Sequence, residues 1–189
     1  FSGGYKIRDQ ASTHFLTFTV VGWIDIFSRK IYRDILIDSF SFCRKRKDLL
    51  VGAYVIMSNH LHTIWTAKNK NLSDIVRDFK THTSKTIYAE IQNNSESRRQ
   101  WLNHMFKYYA NGSPSNTYSK IWTNDNHPEE IYSQKFMMQK LNYIHENPVR
   151  AGITKLPEEY IYSSALNYAD KKGIMDIDML CEKYRFLIF

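Results

Sequence analysis

The chain has 189 residues, 43% hydrophobic and 15% aromatic, enough for one domain with its own core and too apolar for a disordered polymer. With 26 Lys and Arg against 19 Asp and Glu, the formal net charge is +7, which favours a polyanionic partner, either nucleic acid or an anionic surface. No apolar run approaches a membrane span, no secretory pattern opens the chain, and Cys43 and Cys181 fit reduced thiols of a cytoplasmic protein rather than a disulfide or zinc site.

His14–Trp23 alternates apolar residues with Thr and is rich in β-branched side chains, which predicts a strand. Arg29–Asp48 carries Ile31, Ile35 and Phe42 at helical spacing and ends on Arg44-Lys45-Arg46-Lys47, charges suited to a helix C-terminus. Leu49–Met57 and His60–Ala67 read as two strands joined at Ser58-Asn59, a β-hairpin. Asn71-Leu72-Ser73-Asp74 opens a long helix to about Gln92, apolar along Ile75, Val76, Phe79, Thr83, Ile87 and Ala89. A further helix is expected over Arg99–Ala110, a loop over Asn111–Asn116 and a short strand over Tyr118–Thr123. Glu129–Asn147 reads as a helix stopped by Pro148 and Gly152. From Thr154 the pattern is weak, with a short helix near Asp178–Tyr184. No repeat or boundary divides the chain, so a single domain is expected, with a core of about 5–165 and a tail over 166–189.

The order β-α-β-β-α, an insertion, a short strand and a last helix matches the ferredoxin-like βαββαβ arrangement with an added C-terminal helix. The expected class is therefore α+β, an antiparallel sheet with helices on one face and the other face or one end open to a ligand. Trp65 and Trp122 are expected in the sheet or core.

The chemistry concentrates in two places. His60 and His62 are two apart on a strand, so both imidazoles point to one face, roughly 6–7 Å apart at Cβ, and can converge on one divalent ion. Phe136, Lys140, Tyr143 and Asn147 form one stripe of the last helix, beside the apolar stripe Met137, Leu141 and Ile144. A Tyr there reaches a cleft, and the Asn amide oxygen can join a metal beside it. Two imidazoles and an amide leave open positions compatible with Mg²⁺ or Mn²⁺. A cation neutralises a phosphodiester and polarises its P–O bond, which is what a weak phenol nucleophile requires. Each feature alone has a plainer reading: the histidines as a hydrogen-bonded pair, Tyr143 as one of 13 tyrosines, Asn147-Pro148 as a helix stop.

His60-Leu61-His62-Thr63-Ile64-Trp65 after an apolar strand, followed far downstream by Tyr143-Ile144-His145-Glu146-Asn147-Pro148-Val149-Arg150-Ala151-Gly152, resembles the HUH single-strand transposases, in particular the REP-associated tyrosine transposases of the IS200-like superfamily. The resemblance covers roughly residues 5–165. It implies a ferredoxin-like fold, metal binding by His60, His62 and Asn147, and attack on DNA by Tyr143. It further implies cleavage of single-stranded DNA at hairpins, a 5′-phosphotyrosine link and a released 3′-hydroxyl. Asn147 stands where other branches carry Gln.

Arg77, Lys80 and Lys85 on the second long helix form either a solvated face or a phosphate-contacting edge, and Lys140 and Arg150 join them as candidate DNA contacts. Monomer and homodimer are both compatible with the resemblance, with Tyr143 acting in cis or in trans. The competing functions are a relaxase or replication initiator with the same chemistry, and a domesticated hairpin-binding protein without transposition. A 2H-type phosphoesterase needs two His-x-Thr/Ser motifs, and only His82-Thr83-Ser84 supplies one.

Overall fold

A computed structural model describes residues 6–111 and 119–180. Its framework is a four-stranded sheet of β1 (His14–Thr19), β2 (Leu49–Ile56), β3 (His60–Ala67) and β4 (Glu129–Glu130), in the order β2-β3-β1-β4. Every pairing is antiparallel. Two crossovers generate that order: α1 (Lys30–Arg46) joins β1 to β2, and α2 (Leu72–Asn93) with α3 (Arg99–Asn111) joins β3 to β4. This is the ferredoxin-like arrangement, to which α4 (Gln134–Arg150) and a short α5 (Ala165–Tyr168) are added.

The register of β1 on β3 separates the two faces. Leu16 opposes Thr63, and Phe18 opposes Leu61, on one side; Phe15 opposes Ile64, Thr17 opposes His62 and Thr19 opposes His60 on the other. The first side is the main core. There Phe18 lies against Trp65 with centroids 5.3 Å apart, and Phe40 of α1 stacks on Phe79 of α2 at 5.2 Å. Both helices therefore cover this face, while α4 lies over the histidine face.

The helical spacing of α1 is observed, but its buried stripe is Tyr32, Leu36, Phe40 and Cys43, and Phe42 points to solvent. On α2, Ile75, Val76, Phe79, Thr83 and Ile87 are buried as expected and Ala89 is exposed. Both departures have one cause: a run of alternating apolar residues offers two stripes, and the tertiary partner selects one. Trp65 and Trp122 are both buried.

Three boundaries move. The first strand ends at Thr19, because a 3₁₀ turn at Val21–Trp23 with Gly22 at φ 61° leaves the sheet. Trp122 makes a single bridge to Val20 instead of belonging to a strand, and Tyr118 falls outside the described residues together with 112–116 of the expected loop. The last helix begins at Gln134, capped by the Ser133 side chain accepting from the Phe136 N–H, since Glu129 and Glu130 are paired with β1. It runs through Pro148 and stops after Arg150, where Gly152 at φ 70° lets the Ile153 N–H reach the Pro148 carbonyl at 2.9 Å.

The C-terminal stretch lies along the outer edge of β2. Ser163 bridges Val55, the Ile56 N–H donates to the Tyr162 carbonyl at 2.9 Å, and the Asp178 N–H donates to the Val51 carbonyl at 2.8 Å. Tyr162, Tyr168 and Met175 join the core. No helix forms over 178–180, and the remainder of that expected helix, with Cys181, lies outside the described residues.

Candidate active site

His60 and His62 enter the site from the first and third positions of β3, with ring centroids 4.8 Å apart. Strand alternation puts both on the face under α4. From α4, Tyr143 brings its ring to 5.1 Å from His62 at an interplanar angle of 72°. Phe15 of β1 fills the floor, stacked 5.3 Å from His62 and edge-on to Tyr143 at 5.9 Å. The structure thus brings together residues 60, 62 and 143, which are remote in sequence. Asn147 follows Tyr143 by one helical turn, half-buried and fully helical despite the proline after it.

Each imidazole is held through its Nδ1. That of His60 lies 2.7 Å from Asn59 Oδ1, and that of His62 lies 2.9 Å from Thr17 Oγ1. With both partners accepting, both Nε2 atoms keep their lone pairs, the arrangement by which second partners orient metal-binding histidines. Burial, reinforced by His60, Lys140 and Arg150, pushes His62 down to about 3, and burial lowers His60 too. The imidazoles are neutral near pH 7, the form that ligates metal. Among the described residues no group of three or more His, Cys, Asp or Glu is placed to hold an ion. A cation here would meet the two neutral imidazoles, with Asn147 on the helix turn that follows Tyr143.

Tyr143 is 39% exposed, so its ring is gripped and its edge is accessible. Arg150 places its guanidinium 4.4 Å above that ring and donates to the Tyr143 carbonyl at 3.0 Å. Lys140 sits 4.4 Å above the Phe15 ring, fixed by Glu129 at 2.6 Å. These two cations flank the phenol. The three on α2 lie across the sheet. Arg77 pairs with Asp74 and Asp78, Lys85 is exposed, and Lys80 is turned inward. Its ammonium donates to the Thr123 carbonyl at 2.6 Å and to Asn126 Oδ1 at 2.8 Å, and burial pulls it down to about 8. Lys80 ties down the 123–126 loop and, half-buried, lines an open pocket with Arg77, Asn124 and Asn126.

Sequence reasoning missed Phe15, Thr17, Asn59 and Trp23. Thr17 could have been found from the register of β1 on β3. Asn59 was visible only as a turn residue. Trp23 lies with its ring centroid 6.1 Å from that of His60. Another buried histidine, His145, does not face the site. Its Nε2 meets Ser164 Oγ at 2.8 Å, and Ser164 in turn takes the Tyr54 N–H at 3.0 Å, which pins α4 to β2.

The whole fold is shared with a solved REP-associated tyrosine transposase, whose structure was determined bound to a REP hairpin: TM-score 0.60, 19% identity, over 96% of this chain and 93% of that one. A second solved chain, from Deinococcus radiodurans and carrying a provisional transposase description, overlaps at TM-score 0.46 and 14% identity over 78% of this chain and 96% of its own, too loosely to carry an argument. No curated protein sequence matches. The sequence profile described as "Transposase IS200 like" matches residues 23–124, more than half of the chain, and that stretch contains both histidines of the site. The chain belongs to the IS200-like transposase family.

Proposed function

We propose that this transposase cleaves and rejoins single-stranded DNA at hairpin-bearing ends, with Tyr143 as nucleophile and a divalent metal held by His60, His62 and Asn147. The observation that carries the reading is the contact of the Tyr143 ring with His62, 5.1 Å between centroids, on the sheet face where burial keeps both imidazoles neutral. The hairpin-bound relative of the same fold supports hairpin DNA as partner. Among the described residues no helix is long and apolar enough to cross a membrane.

When bound, Mg²⁺ or Mn²⁺ supplies charge neutralisation and polarisation of the scissile P–O bond. Tyr143 Oη attacks phosphorus and gives up its proton to solvent. The bond to the 3′-oxygen breaks, and that oxygen takes a proton to leave as a 3′-hydroxyl. The 5′-phosphate stays esterified to Tyr143, so the linkage energy is kept and no nucleotide cofactor is consumed. Attack by a 3′-hydroxyl on the same phosphorus reverses the exchange and releases Tyr143. Lys140 and Arg150 flank the phenol and offer positive charge to the phosphate.

Covalent trapping tests this. Protein, Mn²⁺ and labelled hairpin DNA from the ends of its own locus are resolved on a denaturing gel beside Tyr143→Phe. A labelled protein band absent from the variant is expected. A band that persists in the variant moves the nucleophile elsewhere, and hairpin binding with no band in either protein favours a non-catalytic DNA-binding role.

A further inference from the structure

Of the four tryptophans, Trp65 and Trp122 are buried, Trp101 is exposed on α3 away from the histidines, and Trp23, 66% exposed, lies at the rim of the site beside His60. It closes the 3₁₀ turn between β1 and α1, with its backbone at φ 55°, a left-handed conformation that a bulky side chain avoids. The turn is held in that shape. Gly22 precedes it at φ 61°, and a Cβ there would come within 2.6 Å of Tyr109 Oη, so Tyr109 of α3 closes over the turn and only glycine fits. The Trp23 N–H donates to the Val20 carbonyl at 3.1 Å, and its carbonyl accepts from Asn59 Nδ2 at 3.3 Å. The same Asn59 side chain receives His60 Nδ1 at 2.7 Å. One residue therefore fixes both the display of Trp23 and the orientation of a site imidazole. Strained backbone persists where its surroundings over-determine it, which is common at ligand sites.

The rings form a sequence of contacts. Trp23 meets His60 at 6.1 Å, His60 meets His62 at 4.8 Å, and His62 meets Tyr143 at 5.1 Å. In this order of contacts the histidine pair comes between Trp23 and Tyr143. In an in-line displacement the attacking and leaving oxygens lie on opposite sides of phosphorus. With Tyr143 attacking a phosphate held at the histidine pair, the leaving 3′-oxygen departs on the side away from the phenol, and Trp23 is the exposed ring beyond His60. We propose that Trp23 is a stacking platform for the unpaired base of the nucleotide that carries the leaving 3′-oxygen. This rests on the single-strand cleavage reading above. Every base has a π-face, so such a platform adds affinity and holds the 3′-end near the phosphotyrosine without selecting a sequence.

The cleavage position is first mapped with the wild-type protein from the released fragment. Binding is then measured for wild type, Trp23→Ala and Trp23→Phe on the intact hairpin oligonucleotide and on one made abasic at the nucleotide 5′ to the cut. Trp23→Ala is expected to weaken binding of the intact strand about 5- to 150-fold, with Trp23→Phe in between. On the abasic strand wild type and Trp23→Ala are expected to bind alike. The abasic change alone is expected to weaken the wild type, a readout that needs no variant to fold. Equal binding of all three proteins to the intact strand overturns the platform, as does an equal loss for Trp23→Ala on both strands. A change in sedimentation of Trp23→Ala with unchanged DNA affinity also overturns it and assigns the indole to a contact between copies of the chain. Absence of any wild-type adduct defeats the cleavage reading itself, whereas a normal adduct with no Trp23 effect defeats only the platform.

Discussion

The Thr17 hydroxyl lies 2.9 Å from His62 Nδ1, on the residue directly opposite in the β1–β3 register. That contact decides which nitrogen of the buried ring is offered to the site. Thr17→Val keeps the shape and removes the hydroxyl. Calorimetric titration with Mn²⁺ is expected to show affinity about 10- to 100-fold lower, with the melting temperature little changed. Equal affinity for both proteins would separate Thr17 from metal binding.

His62→Ala is expected to abolish strand cleavage while leaving hairpin binding largely intact, since the cations flanking Tyr143 stay in place. EDTA is expected to do the same to the wild-type protein, with Mg²⁺ or Mn²⁺ restoring activity. Full cleavage in chelator would mean a metal-free mechanism.

Stability has a definite pH dependence. His62 and His145 are both held at about 3 by burial, below their ordinary value of 6.5. The unfolded chain therefore binds more protons than the folded one as pH drops. The stabilisation is complete above about 6.5 and is lost on acidification toward about 3. Between 6.5 and the ordinary Glu value of 4.5, carboxylates contribute little, so the histidines dominate. Each contributes a slope of about 1.4 kcal/mol per pH unit. His145→Gln retains an amide to reach Ser164 and removes one titrating group, so urea midpoints at pH 7, 6 and 5 are expected to fall less steeply. An unchanged slope would show that His145 is protonated equally in both states.

The two kinds of lysine and arginine separate in salt. Arg150→Ala is expected to reduce the slope of log affinity against log salt by about 0.7 to 0.9, one phosphate contact. Lys80→Met is expected to leave that slope alone and to lower the melting temperature, because Lys80 holds the Thr123 and Asn126 loop. Loss of slope in Lys80→Met would return it to the DNA-contacting set.

Local signals carried much of this molecule. The β2–β3 hairpin and α2 are legible because period-two and helical patterns are strong there, and His60, His62 and Tyr143 stand out because each sits at a defined position of such an element. What escaped is long-range. Glu129 and Glu130 carry no strand signal, and only pairing with Phe15 and His14 makes them β4. Pro148 reads as a stop, yet in the last turn it forfeits a single N–H, and α4 continues to Arg150. Thr17 and Phe15 belong to the site only once β1 has a register, and Lys80 is drawn inward by carbonyls more than 40 positions away.

The strip of chain laid along β2 also governs how the protein behaves in company. A bare strand edge is a template on which another chain can add. Here the Val51, Tyr54 and Ile56 amides are taken by Asp178, Ser164 and Tyr162, and the opposite edge strand is only two residues long. Among the described residues both margins are therefore poor templates for strand-by-strand growth. Removing the chain from Tyr160 onward is expected to uncover the longer margin and leave the Val51, Tyr54 and Ile56 amides open to another strand.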